Sequence, residues 1–185
     1  LKGAEQATPI SIAIHVEVDG KSLGQKVRTF SVRSINECLL GYVSNGTNFH
    51  DTGIFFAAYV NEDNPMIDKL LREALNTRIV NRFLGYQSAR PEAVDKQVYA
   101  LWNVLQKRKF RYSSVSNTSL SSNVVYSQRV RTFDDALESS QINCVDGSVL
   151  IASLLRAINI DPILVRTPGH MFVGYYTDSS HKNKE

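Results

Sequence analysis

Five β-branched residues at every second position, Ile10, Ile12, Ile14, Val16 and Val18, constrain this chain more than any other run in it. Alternation with Ser11, Ala13, His15 and Glu17 is the period of a strand with one buried face. A helix would scatter the same residues around its axis. Asp19-Gly20-Lys21 follows as a turn, and alternation resumes from Val27 through Phe30 to Val32, so the spacing predicts a β-hairpin. A third strand is expected from Cys38 to Val43 and a fourth near Ile54 to Tyr59. The turn-forming stretch Ser44-Asn45-Gly46-Thr47-Asn48 separates them. Residues 1–60 thus read as a β-rich N-terminal portion, a small antiparallel sheet.

At Pro65 the period changes. Proline suits a first helical turn, and Ile67, Leu70, Leu71, Ala74, Leu75 and Ile79 form one apolar stripe, so a helix is expected over 65–83. A second is expected over 91–108, where Val94, Val98, Leu101 and Leu105 repeat and Trp102 widens the core-facing stripe. Residues 113–122 are rich in Ser, Asn and Thr and read as an exposed loop, followed by a short extended segment over 124–130. Thr132 can cap a short helix with Asp134 and Asp135 in its first turn. A helix over 144–158 then opens at Cys144, with Asn143 as N-cap and Asn159 closing it. Strands follow at about 162–166 and 170–176, around the turn Thr167-Pro168-Gly169. The fold class is α+β, with residues 61–185 forming a core of helices and an antiparallel sheet.

Hydrophobic residues make up 43% of the chain and charged residues 21%, so a core can be buried. No apolar run approaches the roughly 18–20 residues of a membrane span. Lys107-Arg108-Lys109 with Arg111 falls at a helix end, where cations offset the dipole. No aromatic interleaving accompanies it, so no nucleic-acid partner is expected. His15, His50, His170 and His181 lack metal-ligand spacing, and neither a metal nor an organic cofactor is called for. Cys38, ahead of Leu39-Leu40, reads as a small buried hydrophobe and not as a bridge to Cys144. The start at Leu1 fits a trimmed chain or an exported form whose signal peptide has been removed, and compartment and oligomeric state stay open.

Cys144 carries the chemistry. Unpaired N–H groups and the positive dipole end of a helix stabilise a thiolate, and the same groups can face a developing oxyanion. A thiol nucleophile also needs a base that later protonates the leaving group. His170, 26 residues on, opens the last strand and is the candidate. Asp146 reads as favourable first-turn charge, although a carboxylate there also works against a thiolate. Gly147 costs a helix about 1 kcal/mol against alanine, which points to close packing beside the nucleophile. Tyr126 and Gln128 are candidates to line a cleft.

Asp134-Asp135-Ala136-Leu137, Cys144, Leu154-Leu155-Arg156-Ala157-Ile158, the strand from Pro162 to Val165, and His170 together resemble the core of the transglutaminase-like family. The resemblance covers the last quarter of the chain closely and the two preceding helices more loosely. It implies a papain-like thiol fold in which Cys144 attacks a peptide or carboxamide carbonyl, His170 shuttles the proton, and an acyl-enzyme forms. Bacterial and archaeal members are regarded as peptidase-like, so it implies hydrolysis of a protein or peptide substrate without a cofactor. Gln141 stands in for the glutamine that holds the oxyanion in papain-like enzymes, at a shorter spacing. Two departures stand out. Asn143 replaces the family's glycine before the cysteine, and the acid that orients the histidine is missing at its usual position. Asp178, eight residues past His170, is the stand-in; otherwise the acid lies beyond Glu185 or the site is a dyad. Two other readings remain: a catalytically silent module that binds peptide or glycan, and a β-rich front half that docks a partner protein.

Overall fold

A computed structural model describes residues 7–114 and 122–185, so most of the expected 113–122 loop lies outside the described residues. The fold is mixed α+β with antiparallel sheets. It divides into two compact units: residues 7–51 with 122–129, and residues 52–114 with 130–185. The boundary expected at residue 60 therefore moves, and the second unit is interrupted in sequence by a strand that returns to the first.

In the first unit, β1 (Thr8–Val18) and β2 (Lys21–Val32) form the expected hairpin. Asp19 and Gly20, at φ 49° and 73°, make the two-residue turn whose twist matches the strands. The half-buried face is not observed. Ile12, Ile14, Val16 and Val18 are 48–59% exposed, because β1 and β2 pair only with each other. Period-2 alternation specifies a face, but burial needs a second layer. β3 (Glu37–Ser44) is flanked by β4 (Asn48–Asp51) and by β6 (Val125–Arg129), both antiparallel. The fourth strand expected near Ile54 is instead a 3₁₀ helix, Gly53–Tyr59, in the second unit. Only Phe56 of that segment is buried, while Ile54 and Phe55 face solvent, so one anchor replaces an alternating face.

Cys38 is buried on β3, Cys144 is half-buried, and neither is bridged. Burial pushes the Cys38 thiol from its ordinary value of 9.0 up to about 11. In the unfolded chain the thiol loses its proton first, so unfolding gains ground as pH rises. Stability should fall by about 1.4 kcal/mol per pH unit between roughly pH 9 and 11. Urea midpoints at pH 8 and 10.5 check this, with Cys38→Val expected to lose that component. Equal pH slopes in the two proteins would contradict it.

The second unit holds α1 (Pro65–Asn76), α2 (Pro91–Lys107), β5 (Arg111–Tyr112), α3 (Phe133–Ser139), β7 (Gln141–Ile142), α4 (Cys144–Ala157), β8 (Pro162–Thr167) and β9 (His170–Tyr175). α1 stops well short of residue 83. The Thr77 hydroxyl donates to the Ala74 carbonyl at 2.6 Å, and Arg78 turns left-handed at φ 60°. Ile67, Leu70, Val94, Leu101, Leu150 and Leu154 are almost wholly buried, each such side chain contributing about 1.5–3 kcal/mol. Trp102, expected in this core, is 48% exposed. Within the basic cluster, Arg108 caps α2 and donates to both Glu73 carboxylate oxygens at 2.7 Å.

The linker between α1 and α2 is fixed by buried Gln97. Its Oε1 accepts from the Leu84 and Gly85 N–H groups at 2.7 and 2.9 Å, and its Nε2 donates to the Gly85 and Ala93 carbonyls at 3.0 and 2.9 Å. Gly85, at φ 52°, presses on the end of α4. A β-carbon there would stand 2.9 Å from the carbonyl oxygens of Ile158 and Asn159. α4 packs across the β8–β9 hairpin. Its 14 residues rise about 21 Å, and the six residues of β8 return about 20 Å after a short link. Antiparallel to α4, a strand of that length spans the helix.

Candidate active site

Cys144 is the first residue of α4, and its entry is fixed by a reciprocal cap. The Asn143 side chain accepts from the Asp146 N–H at 2.9 Å, while Asp146 accepts from the Asn143 N–H at 3.0 Å. The Gly147 N–H bonds the Asn143 carbonyl at 3.0 Å. Among the described residues the N–H groups of Cys144 and Val145 are left without a partner, so the first turn keeps two donors for a ligand. Asn143 thus supplies the capping oxygen, which a glycine at this position could not.

The carboxylate expected to oppose a thiolate is neutralised. Asp146 is buried, and Arg131 reaches it twice, through its N–H at 2.9 Å and Nη1 at 2.5 Å. Arg131 Nη2 donates in turn to Ser113 Oγ at 3.1 Å. This arginine had no signal in the sequence, because its partner lies 15 residues away across α3.

Tyr112 is the second residue that sequence reasoning missed. β5 and β7 pair in parallel, setting Tyr112 opposite Ile142, two residues before the cysteine. Tyr112 lies close enough to Cys144 for the two side chains to interact electrostatically. Its phenol is raised above the ordinary value, first by charge interaction with Cys144, then by lost hydration, hydrogen bonding toward Cys144 and the charge of Asp146. Tyr112 therefore stays a hydroxyl donor through neutral pH. Parallel pairing of two-residue strands leaves no local pattern to read.

His170 opens β9 opposite Thr167 and is exposed, its ring 6.4 Å from that of Phe172. Among the described residues no hydrogen bond joins its side chain to that of Cys144, and no carboxylate pairs with the His170 ring. Asp178 does not supply one. It follows the end of β9 that pairs with Pro162, opposite the His170 end. Its carboxylate accepts from the Ser180 hydroxyl and the N–H groups of Ser180 and Asn183, which hold it well below the usual carboxylate range. Asp178 organises a turn. The acid nearest in kind, Asp161, pairs with His181 at 2.8 Å.

Gln141 is exposed on β7, on the opposite side of that strand from Ile142, and no hydrogen bond joins it to Cys144 among the described residues. Tyr126 and Gln128 belong to β6 in the first unit. Tyr126 lies edge-on to Phe49 at 5.9 Å, and Gln128 donates to the Arg129 carbonyl. No cluster of three metal-ligating side chains occurs among the described residues. No described helix is long and apolar enough to cross a membrane. Comparison with family profiles, with curated proteins and with solved structures returns no match.

Proposed function

We propose that the second unit is a transglutaminase-like, papain-type thiol domain that cleaves a peptide or carboxamide bond through an acyl-enzyme on Cys144. The observation that carries this reading is the cysteine's place in the first turn of a capped helix. The thiol gives its proton to His170 as its sulfur attacks the carbonyl carbon. The developing oxyanion takes the free Cys144 and Val145 N–H groups. The C–N bond then breaks, and the amine leaves with a proton delivered by His170. Water adds to the thioester, gives a proton back through His170, and releases the acid and the thiol. The arrangement works as a dyad within residues 130–185, and a transferase outcome differs only in an amine replacing water.

Cys38 is buried and protonated, so iodoacetamide near neutral pH reads Cys144 alone. Cys144 is expected to alkylate at least tenfold faster than free cysteine at pH 7, and His170→Ala is expected to change the pH profile of that rate. Mass spectrometry of the labelled peptide checks both. A rate equal to that of free cysteine, unchanged by His170→Ala, would instead favour a silent binding module. The exposed His170, without a hydrogen bond to the thiol, is the observation on that side.

A further inference from the structure

Beside the first turns of α4 lies an apolar cavity of about 270 Å³. Trp102, Phe110, Ile142 and Ile151 line it, and Gly147 forms part of its wall. Three observations tie it to the thiol. Cys144, Gly147 and Ile151 stand at i, i+3 and i+7 on α4, so they share one helix face. Gly147 is about 4.5 Å along the axis from Cys144 at the helical rise, so the cavity begins within one turn of the sulfur. Ile142, which lines the cavity, stands two residues before Cys144 on the strand that leads into α4.

Gly147 is not required by packing. A β-carbon there would meet only Ile142 Cδ1, at the ordinary contact distance of 3.5 Å. The close packing expected around this glycine is absent; what it preserves is space. Alanine would favour the helix by about 1 kcal/mol, so leaving the wall open costs the fold something. Trp102 is half exposed at the same place, an aromatic face kept out of the core. In size the cavity exceeds the roughly 150 Å³ that accommodates a benzene ring, yet falls below the roughly 300 Å³ at which whole-ligand sites begin. It fits one side chain. Lys109 also lines it and has no carboxylate partner among the described residues, which disfavours a cationic guest.

We propose that this cavity is a specificity pocket for an uncharged aromatic or large aliphatic side chain of the substrate, presented beside the carbonyl that Cys144 attacks. The pocket is a physical site in either case; its role as a substrate subsite rests on the acyl-transfer reading. Trp102 is the only tryptophan in the chain, so its emission reports occupancy without any need for activity. Titration with N-benzylacetamide should give a saturable change in Trp102 fluorescence, and acetamide should give none. Gly147→Leu, which fills the cavity, should weaken the benzyl response at least tenfold. Gly147→Ala, which the space accepts, should weaken it a few-fold and guards against misfolding of the larger variant.

A second arm joins the pocket to the thiol. The rate of Cys144 alkylation by N-benzyl iodoacetamide, divided by that by iodoacetamide, should exceed the same ratio for free cysteine about tenfold. The excess should vanish in Gly147→Leu. A saturable Trp102 response with ordinary thiol reactivity upholds the pocket and sinks the acyl-transfer reading. Fast alkylation without benzyl preference, or a Trp102 response unchanged in Gly147→Leu, overturns the pocket and leaves that reading standing.

Discussion

Asp146→Ala is expected to destabilise the second unit by about 3 kcal/mol, measured as a lower urea midpoint with an unchanged slope. The Asp146 side chain is 1% exposed and that of Arg131 14%, so removing the carboxylate takes a close anionic partner from a largely buried guanidinium. Breaking such a pair costs roughly 3–5 kcal/mol, and the residual access of Arg131 to water places this case at the low end. The same change removes an acceptor from the Asn143 N–H and undoes half of the cap ahead of Cys144. Asp146→Asn keeps the shape and one acceptor but loses the charge, so it should fall between wild type and Asp146→Ala. Equal midpoints for wild type and Asp146→Ala would return Asp146 to the solvated first-turn charge that the sequence suggested.

Gln97→Leu should cost a comparable amount, about 3–4 kcal/mol, although leucine nearly matches glutamine in size. Three backbone groups lose their partner: the N–H groups of Leu84 and Gly85 and the Gly85 carbonyl. Each buried group left unsatisfied costs about 1–3 kcal/mol, offset in part by the added apolar surface. The linker they belong to seats Gly85 against the end of α4, so its release should also loosen the start of the β8–β9 hairpin. Gln97→Glu separates hydrogen bonding from packing. Its carboxylate accepts from both N–H groups but faces the Gly85 and Ala93 carbonyls, to which only the protonated acid can donate. That variant should gain stability as pH falls through the raised value of the buried acid. Denaturant midpoints at pH 7 and pH 4.5, compared with wild type, test the sign.

Much of the second unit was legible because its signals are local. Pro65 and Pro91 open their helices, Thr132 and Asn143 cap theirs, and Cys144 starts α4 at the residue that the pattern gave. The hairpin of β8 and β9 follows from Pro162 and from Thr167-Pro168-Gly169 in the same way. The misreadings share a cause. Ile54 to Tyr59 contains too few residues to distinguish a strand from a 3₁₀ turn, and Phe56 alone decides. α1 ends where Thr77 and Arg78 offer the backbone another bond, although Ile79 continues the apolar stripe.

What the sequence determined by itself is the placement of each chemical group along its own element. Cys144 stands at a helix start and His170 at a strand start, and the alternation of Ile10 to Val18 makes a strand. Tertiary structure alone decided what each group meets. It left the apolar face of β1 uncovered, drew Trp102 out to a cavity wall, paired Asp146 with Arg131, set Tyr112 opposite Ile142, and carried Asp178 away from His170. The physical reason is range. Caps, turns and periodicity act over a few residues, whereas burial and charge pairing join residues whose separation in the chain sets no limit on their approach.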